Sequence, residues 1–243
     1  MISSREKLMK FLHLISKIIF IVCLPILFIT TGIAIAFNAP QVYQHSFDKY
    51  NIEQVTGIKN SELTKAGYQL IDYFNSSDEL IDITVIKDGK PFTLFNEREI
   101  LHLKDVKTLV ILNYALLVFS GIYILGYCAI TFALVPSYWH KILHQLILGS
   151  LLTLMMIAVI GILALMDFNW LFRQFHLISF ANDLWLLDPA TDYLIMMFPG
   201  GFWLDAAIIV AGLAAGLAVL TGISASLAPF LVKRFKSNQV DTQ

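Results

Sequence analysis

Two histidines occupy similar positions in this sequence, each in a polar stretch beside a long apolar run. His102 lies in FNEREILHLKDVK, which leads into the apolar stretch 109–135. His176 lies in FRQFHLISFANDLWLLDPATD, which follows the apolar stretch 146–166. If these stretches cross a bilayer, both imidazoles lie near the lipid headgroups, where a histidine can transfer protons beside glycerol esters. The two segments therefore indicate chemistry on lipid esters.

The surroundings of His102 fit a helix that enters the membrane. Arg98, His102 and Asp105 follow the spacing i, i+4 and i+7, so they share one helical face. At 1.5 Å per residue, His102 lies about 9 Å before the apolar run, at the depth of headgroups and ester carbonyls. Lys104 and Lys107 can extend to lipid phosphates. Spacing alone favours an ordinary interfacial helix end over a catalytic site.

The segment around His176 is rich in aromatic residues. An aromatic belt at the membrane interface accounts for Trp170, Trp185 and Trp203 without any further role. It does not account for the polar residues among them, which are Arg173, His176, Asn182, Asp183 and Asp192. These residues form either a headgroup pocket or a solvated loop.

Other candidate sites have less support. His140 and His144 have the i, i+4 spacing of metal ligands, but the glutamate of a zinc hydrolase motif is missing, so no metal is expected. Asn113 and Tyr114 lie inside an apolar stretch, where polar side chains face the bundle interior. We expect Asn113 to pack there, and we keep Tyr114 as a substrate-binding candidate. No G-x-S-x-G elbow, P-loop or dinucleotide fingerprint is present, so neither a serine nucleophile nor a cofactor is expected.

The composition predicts an α-helical polytopic membrane protein. Apolar residues make up 57% of the 243 residues and charged residues only 14%, whereas soluble domains have about 25% charged residues. A span needs about 20 apolar residues, and four stretches qualify: Ile18–Ala36, Leu109–Val135, Leu146–Met166 and Ala206–Ala228. The first is too long for a signal-peptide core and is interpreted as a signal anchor. A net charge of −1 without basic runs gives no indication of nucleic acid binding.

The distribution of lysine and arginine predicts the orientation of the four spans. Arg5, Lys7, Lys10 and Lys17 precede the first span, and Lys233, Arg234 and Lys236 follow the last. Basic residues favour the cytoplasm, so both termini are expected there. The predicted divisions are 1–36 (cytoplasmic N-terminus and span 1), 37–108 (small mixed α/β extracellular domain), 109–167 (spans 2 and 3), 168–205 (second extracellular segment) and 206–243 (span 4 and tail).

Local patterns predict several elements. A helix is expected from Ser61 to Asn75, and the turn Asp88-Gly89 between alternating strands predicts a β-hairpin. Asn96 followed by Glu99 is a capping box at the start of the helix that carries His102. In the last span, Gly212 and Gly216 have the spacing of close helix contacts, expected within the chain's own bundle rather than in a dimer. Cys23 and Cys128 lie inside spans, so no disulfide is expected.

The order of these segments resembles a known family. One span, an outer domain ending in REILHLKDVK, two spans, then FHLISFANDLWLLDPATDYLIMMFP and a last span are similar to the lipoprotein intramolecular transacylases, called Lit, of low-GC Gram-positive bacteria. The similarity covers essentially the whole chain. The two histidine segments are its specific part, because the span pattern alone matches many unrelated proteins.

The resemblance implies an acyltransferase of the cell membrane. Its substrate is a diacylglyceryl-modified lipoprotein, whose sn-2 acyl chain moves from glycerol to the α-amine of the N-terminal cysteine. It implies His102 as general base and His176 as a second essential residue, at the outer-leaflet interface. Substrate-binding or oxyanion candidates are Arg98, Asp105, Tyr114, Arg173, Asn182 and Asp183. Diacylated lipoproteins and membrane lipids are the expected partners of a monomeric protein.

Two other classes of function stay open. A non-catalytic sensor would bind a peptide with its outer domain and would not need either histidine. A membrane hydrolase or phospholipid acyltransferase would use the same histidines but release fatty acid or alter phospholipids. The position of the acyl chain on a lipoprotein N-terminus distinguishes these classes from acyl migration.

Overall fold

The computed structural model describes residues 4–240, most of which are helical. In chain order the elements are α1 (Ser4–Phe37), α2 (Pro40–Lys49), α3 (Ile52–Thr56), α4 (Asn60–Asn75), β1 (Thr84–Lys87), β2 (Lys90–Thr93), α5 (Glu97–Leu134), a 3₁₀ turn (Pro136–Tyr138), α6 (Trp139–Ser179), α7 (Tyr193–Met197) and α8 (Gly200–Val240). The two strands pair antiparallel, with Thr84 opposite Thr93 and Lys87 opposite Lys90.

Four of these helices are long and apolar enough to cross a membrane: α1, α5, α6 and the Gly200–Lys233 part of α8. Each covers one of the apolar stretches found in the sequence and begins before it, although α5 ends at Leu134, one residue before the end of its stretch. Large apolar side chains such as Leu125, Leu165 and Leu220 are exposed on them, as expected for helices whose solvent is lipid. The prediction of a multi-pass helical membrane protein is confirmed.

Helix α6 continues well past the apolar stretch that was expected to end at Met166. Its backbone is non-helical at Asp167 (φ −161°, ψ 97°), and the Asp167 carboxylate accepts the backbone N–H of Trp170 at 2.9 Å. Aspartate is a favoured helix N-cap because its oxygen satisfies a free N–H group. A new helical segment therefore starts here and places His176 in the last turn of α6.

One compact unit contains residues 33–114 and 162–210. Its core buries Phe47, Leu63 and Val85 together with Met197 and Phe202. The stretch around α7 therefore packs into the same core as the segment that follows α1. Helix α4 confirms the helix predicted from Ser61 to Asn75.

The hairpin and the capping box of this unit are also confirmed. Asp88 (φ 52°) and Gly89 (φ 74°) both have positive φ, as a two-residue turn of the favoured type requires. Asn96 N–H donates to Glu99 Oε2 at 2.7 Å, and Glu99 N–H donates to Asn96 Oδ1 at 3.1 Å. Helix α5 starts directly after this cap and runs unbroken to Leu134.

Short helices α2 and α3 were not predicted. Helix α2 is polar overall, and it buries only Tyr43, Ser46 and Phe47. These residues lie on one narrow stripe, with a spacing too short to give a clear periodic signal. The proline at its first position favours a helix start, but tertiary packing of Phe47 in the core provides most of the reason for a helix here.

A second compact unit contains the described residues up to Gly32, with Ala115–Gly161 and the chain from Ala211. A Cβ on Gly149 would lie 2.3 Å from Leu24 Cδ1, so only glycine allows α6 to approach α1 this closely. The expectation that Gly212 and Gly216 pack inside the bundle is wrong for the described residues, since an added Cβ at either meets no atom within 4 Å. Ala214 and Ala218 are buried instead, because residues two positions apart lie on opposite helix faces.

Candidate active site

The structure brings the two histidines together. His102 lies near the start of α5 and His176 in the last turn of α6, and their ring centroids are 6.2 Å apart with 28° between the ring planes. His102 is 6% exposed, and His176 is half-buried. The two segments that stood out in the sequence therefore form one site.

Aromatic rings surround this pair. Phe180 contacts both imidazoles, with centroid distances of 5.0 Å to His102 and 5.6 Å to His176. Phe172 and Trp185 contact His176 at 4.4 and 5.0 Å. An aromatic surround limits the access of water and restricts the orientations that the two imidazoles can take.

The surroundings of the Nδ1 atom differ between the two imidazoles. His176 Nδ1 lies 2.8 Å from the carbonyl oxygen of Phe172. A carbonyl only accepts, so Nδ1 carries the proton and Nε2 is the basic nitrogen of the neutral ring. His102 Nδ1 is buried and has no hydrogen-bond partner within the described residues. Burial among aromatic rings favours a neutral His102, because an imidazolium there would lose its hydration.

The face of α5 predicted from the i, i+4, i+7 spacing is the face that contacts the segment after α6. At one end of it, the Arg98 guanidinium donates from Nη2 to the backbone oxygen of Asp183 and from Nε to that of Leu184 at 3.4 Å. Arg98 therefore holds the backbone of the second histidine segment against α5. The Asp183 side chain itself is exposed.

Asp105, at the other end of this face, contacts the same segment. Its Oδ2 accepts a hydrogen bond from Asn182 Nδ2 at 2.9 Å, while Asn182 Oδ1 accepts the backbone N–H of Leu184 at 3.0 Å. Asp105 shares a helical face with His102, three residues away. Within the described residues its recorded hydrogen bond is to Asn182, so it stabilises the segment that carries Phe180.

One of the sequence candidates is not drawn into this cluster. Tyr114 lies about 18 Å along α5 from His102. Its hydroxyl accepts from Asn38 Nδ2 at 2.7 Å and donates to Asn75 Oδ1 at 2.9 Å, while Asn75 Nδ2 donates to Asn38 Oδ1 at 2.7 Å. This closed ring of hydrogen bonds joins α4 to α5.

Another sequence candidate, Arg173, lies on α6 three residues before His176. Its side chain is exposed. No hydrogen bond or ion pair of Arg173 is recorded within residues 4–240, so its guanidinium is available to a ligand. In the same described range, no group of three or more histidine, cysteine, aspartate or glutamate side chains could hold a metal.

Two lysines expected to reach lipid phosphates have other partners. Lys107 is buried, donates to the backbone oxygen of Asp78 at 2.7 Å and lies 4.1 Å from the ring centroid of Tyr73. Lys104 forms an ion pair with Glu79 at 2.5 Å. The expectation that Lys107 extends to lipid phosphates is therefore wrong, because its side chain is buried and bonded to the loop after α4, while Lys104 pairs with Glu79 of the same loop.

Sequence reasoning missed a buried pair of carboxylates that supports the site. Glu99 is 1% exposed, and beyond its capping role its Oε1 accepts the backbone N–H of Leu194 at 2.6 Å. Asp192 accepts from Asn96 Nδ2 at 3.0 Å and from the backbone N–H of Asp188 at 2.8 Å. The turn before His102 is thus fixed to α7. The capping box predicts the hydrogen bond that Glu99 Oε2 accepts from the Asn96 backbone. No local pattern predicts the one that Oε1 accepts from Leu194.

A sequence model of the family described as lipoprotein intramolecular transacylase Lit matches residues 18–203, a range that includes both histidine segments. The chain belongs to the Lit family. It is therefore an acyltransferase, and the resemblance stated from the histidine segments is confirmed.

Solved structures of a Lit protein have the same fold. The membrane-integral lipoprotein intramolecular transacylase Lit from Bacillus cereus is similar with a TM-score of 0.74 at 20% identity, over 92% of this chain and 97% of that one. Two structures of that protein with one histidine replaced, by arginine or by alanine, give TM-scores of 0.72 at 20% and 18% identity. They cover 97% and 96% of this chain and all of theirs.

A further similar sequence comes from Aquifex aeolicus. This uncharacterized protein is 27% identical over 188 residues, which are 77% of this chain and 78% of that protein. The similarity therefore extends over most of both sequences.

Proposed function

We propose that this Lit protein moves the sn-2 acyl chain of a diacylglyceryl-modified lipoprotein to the α-amine of its N-terminal cysteine, with His102 as the general base. The observation that carries the proposal is the pairing of buried His102 with half-buried His176 within a shell of aromatic rings. Both histidines come from one chain, so a monomer suffices. The substrates are diacylated lipoproteins within a bilayer of membrane lipids.

The reaction needs one proton transfer from nitrogen to oxygen. An α-amine has an ordinary pKa of about 7.7–8.0, so part of it is neutral and nucleophilic at physiological pH. As the amine attacks the ester carbonyl and the C–N bond forms, His102 accepts a proton from nitrogen. As the C–O bond breaks, His102 returns that proton to the glycerol oxygen. The products are an amide and a glycerol hydroxyl, and no acyl-enzyme forms.

Placement of the substrate supplies much of the rate enhancement. Nucleophile and ester belong to one molecule, and correct orientation of two such groups can lower a barrier by about 7–11 kcal/mol. His176 Nε2, left as the acceptor by the bond from Nδ1 to Phe172, holds the second N–H of the amine. Arg173, which is exposed on α6 three residues before His176, is assigned as the oxyanion stabiliser. Arg98, Asp105 and Asn182 position the segment that carries Phe180.

The active site is assigned to the outer leaflet of the cell membrane. Lysine and arginine residues before the first span and after the fourth favour a cytoplasmic location for both termini. Histidine segments at the outer ends of spans two and three then face the outside, as does the hairpin between α4 and α5. This side is where a lipoprotein anchored in the outer leaflet presents its glycerol ester.

A cysteine introduced at Lys90, on the exposed hairpin, is therefore expected to react with a membrane-impermeant maleimide in intact cells. One introduced at Lys141, an exposed residue at the start of α6, should react only after the cells are lysed. The unmodified protein, with Cys23 and Cys128, gives the background. Labelling of Lys141→Cys but not Lys90→Cys in intact cells would reverse the orientation.

The function is tested by incubating the purified protein with a synthetic diacylglyceryl lipopeptide. Tandem mass spectrometry should find a product of unchanged mass with one acyl chain on the α-amine and one hydroxyl free on glycerol. Release of free fatty acid would identify a hydrolase. An unaltered lipopeptide under conditions in which the protein is folded would favour the sensor function.

A further inference from the structure

A separate basic cluster lies where α1 and α6 begin their apolar stretches. Three lysines and three histidines line one cavity of about 540 Å³: Lys10, His13, Lys17, His140, Lys141 and His144. The described residues that line this cavity include no aspartate or glutamate. The cavity therefore has a positive electrostatic potential that favours an anion.

The position of the cavity along the spans is that of lipid headgroups. Lys17 directly precedes the apolar stretch that starts at Ile18, and His144 lies two residues before the stretch that starts at Leu146. Both spans run in the same direction, so their first residues lie at the same membrane surface. The proposed orientation makes this the cytoplasmic surface, where juxtamembrane basic residues attract anionic lipids.

A buried polar group in the cavity wall points to a ligand independently. Gln145 lines the cavity and is 1% exposed. Its Oε1 has no hydrogen-bond partner within the described residues. A buried acceptor without a partner is costly, and a hydroxyl donor in the cavity would satisfy it. The cavity therefore suits a ligand that has both an anionic group and a hydroxyl.

Two of the basic side chains are held in place by neighbouring groups. Lys141 Nζ lies 3.9 Å from the ring centroid of Tyr138, and the Tyr138 hydroxyl lies 3.2 Å from His13 Nε2. Positioned donors lose less conformational freedom when a ligand binds. Lys10 is paired with Glu6 at 3.2 Å, so Lys17 and Lys141 are the better probes of the cavity.

We propose that this cavity binds the headgroup of an anionic phospholipid, with its phosphate between Lys17 and Lys141 and a headgroup hydroxyl donating to Gln145. Phosphatidylglycerol has this combination of groups. The site is a lipid-binding site separate from the histidine pair. It does not depend on the acyl-transfer reaction, because none of its residues takes part in that reaction.

The test uses the full-length protein in nanodiscs made of equal parts phosphatidylcholine and phosphatidylglycerol. Native mass spectrometry then counts the phosphatidylglycerol molecules that stay bound. We expect selective retention of phosphatidylglycerol, weakened about fivefold by Lys17→Gln and again by Lys141→Gln, since one lysine beside an anionic membrane contributes about that much. The matched control Lys90→Gln, on the hairpin, should retain the lipid as the unchanged protein does.

A parallel arm uses phosphatidylcholine nanodiscs with sodium phosphate to distinguish a lipid from a free anion. Two double variants are compared. If Lys17→Gln/Lys141→Gln loses phosphatidylglycerol binding and Lys17→Arg/Lys141→Arg retains it, the result supports the site. The arginine variant then shows that the loss does not come from misfolding after substitution at these two positions. Stabilisation by phosphate alone, with no selectivity for phosphatidylglycerol, would overturn the lipid assignment. Equal retention of both lipids by the unchanged protein would overturn it too, as would an equal loss in Lys90→Gln.

Discussion

Replacing His102 by glutamine is expected to lower the rate of acyl transfer by about 10²–10⁴-fold, the range over which general acid–base catalysis acts. Glutamine is similar in size to histidine and can form hydrogen bonds, but it cannot take up and return a proton. The rate is measured with a synthetic diacylglyceryl lipopeptide by following the appearance of the N-acyl product. The maximal rate should fall far more than the apparent affinity.

The control for this variant is a histidine elsewhere in the same unit. His45 is exposed on α2, so His45→Gln should leave the rate unchanged. Glutamine is preferable to alanine at residue 102 because the ring is buried against Phe180, and removing it would leave a cavity that lowers stability. A polar, solvated helix face, as the i, i+4, i+7 spacing suggests, would tolerate His102→Ala, but the ring is 6% exposed. An unchanged rate in a folded His102→Gln protein would exclude His102 as the base.

Two substitutions of His176 are expected to differ from each other. In His176→Asn, the side-chain amide can still donate to the Phe172 carbonyl, but the acceptor at the position of Nε2 is lost. In His176→Gln, the longer side chain can present an acceptor there. We expect the asparagine variant to lose about 10²-fold or more in rate and the glutamine variant to lose less. Rates and unfolding temperatures of both variants are measured under the same conditions.

This comparison separates a role in the reaction from a role in packing. If His176 only fills space between Phe172, Phe180 and Trp185, the rate should follow the unfolding temperature in both variants. Asparagine would then have no specific defect at equal stability. A glutamine variant that is less active than the asparagine variant, at the same stability, would contradict the assignment of Nε2 as the acceptor.

Much of the site follows from local sequence patterns. The i, i+4, i+7 spacing predicts that Arg98, His102 and Asp105 share a face, and helical geometry alone guarantees this once α5 forms. The capping box predicts where α5 begins, and the apolar stretches predict the four long helices. These features depend on residues close together in the chain, which is why sequence suffices for them.

The remaining features depend on contacts between distant segments. No local pattern shows that Glu99 accepts from Leu194, or that Lys107 donates to Asp78 rather than to lipid. The same holds for Tyr114, whose hydroxyl contacts Asn38 and Asn75. Each of these side chains has a residue type compatible with several partners, and only the folded arrangement selects one. The length of α6 was underestimated for a related reason. Asp167 ends the apolar run, but its carboxylate also caps the helical segment that follows.

The residues that hold this site together are different from the two histidines that are proposed to react. Arg98 and Asp105 bind the backbone and side chain of the second histidine segment, while Glu99 fixes the turn before His102 to α7. These contacts restrict the distance between the two imidazoles. Among the described residues the hydrogen bond of this pair is the one from His176 Nδ1 to Phe172, so His176 Nε2 and the His102 ring are left for the proposed substrate.

The most direct measurement of the central claim is an isotope crossover with purified protein. Two diacylglyceryl lipopeptides of different peptide sequence, one with deuterated acyl chains and one without, are mixed and incubated together. If the histidine pair transfers the chain within one molecule, each N-acyl peptide carries only the chain of its own glycerol. Peptides that carry the chain of the other lipopeptide, or fatty acid released to solution, would contradict this account.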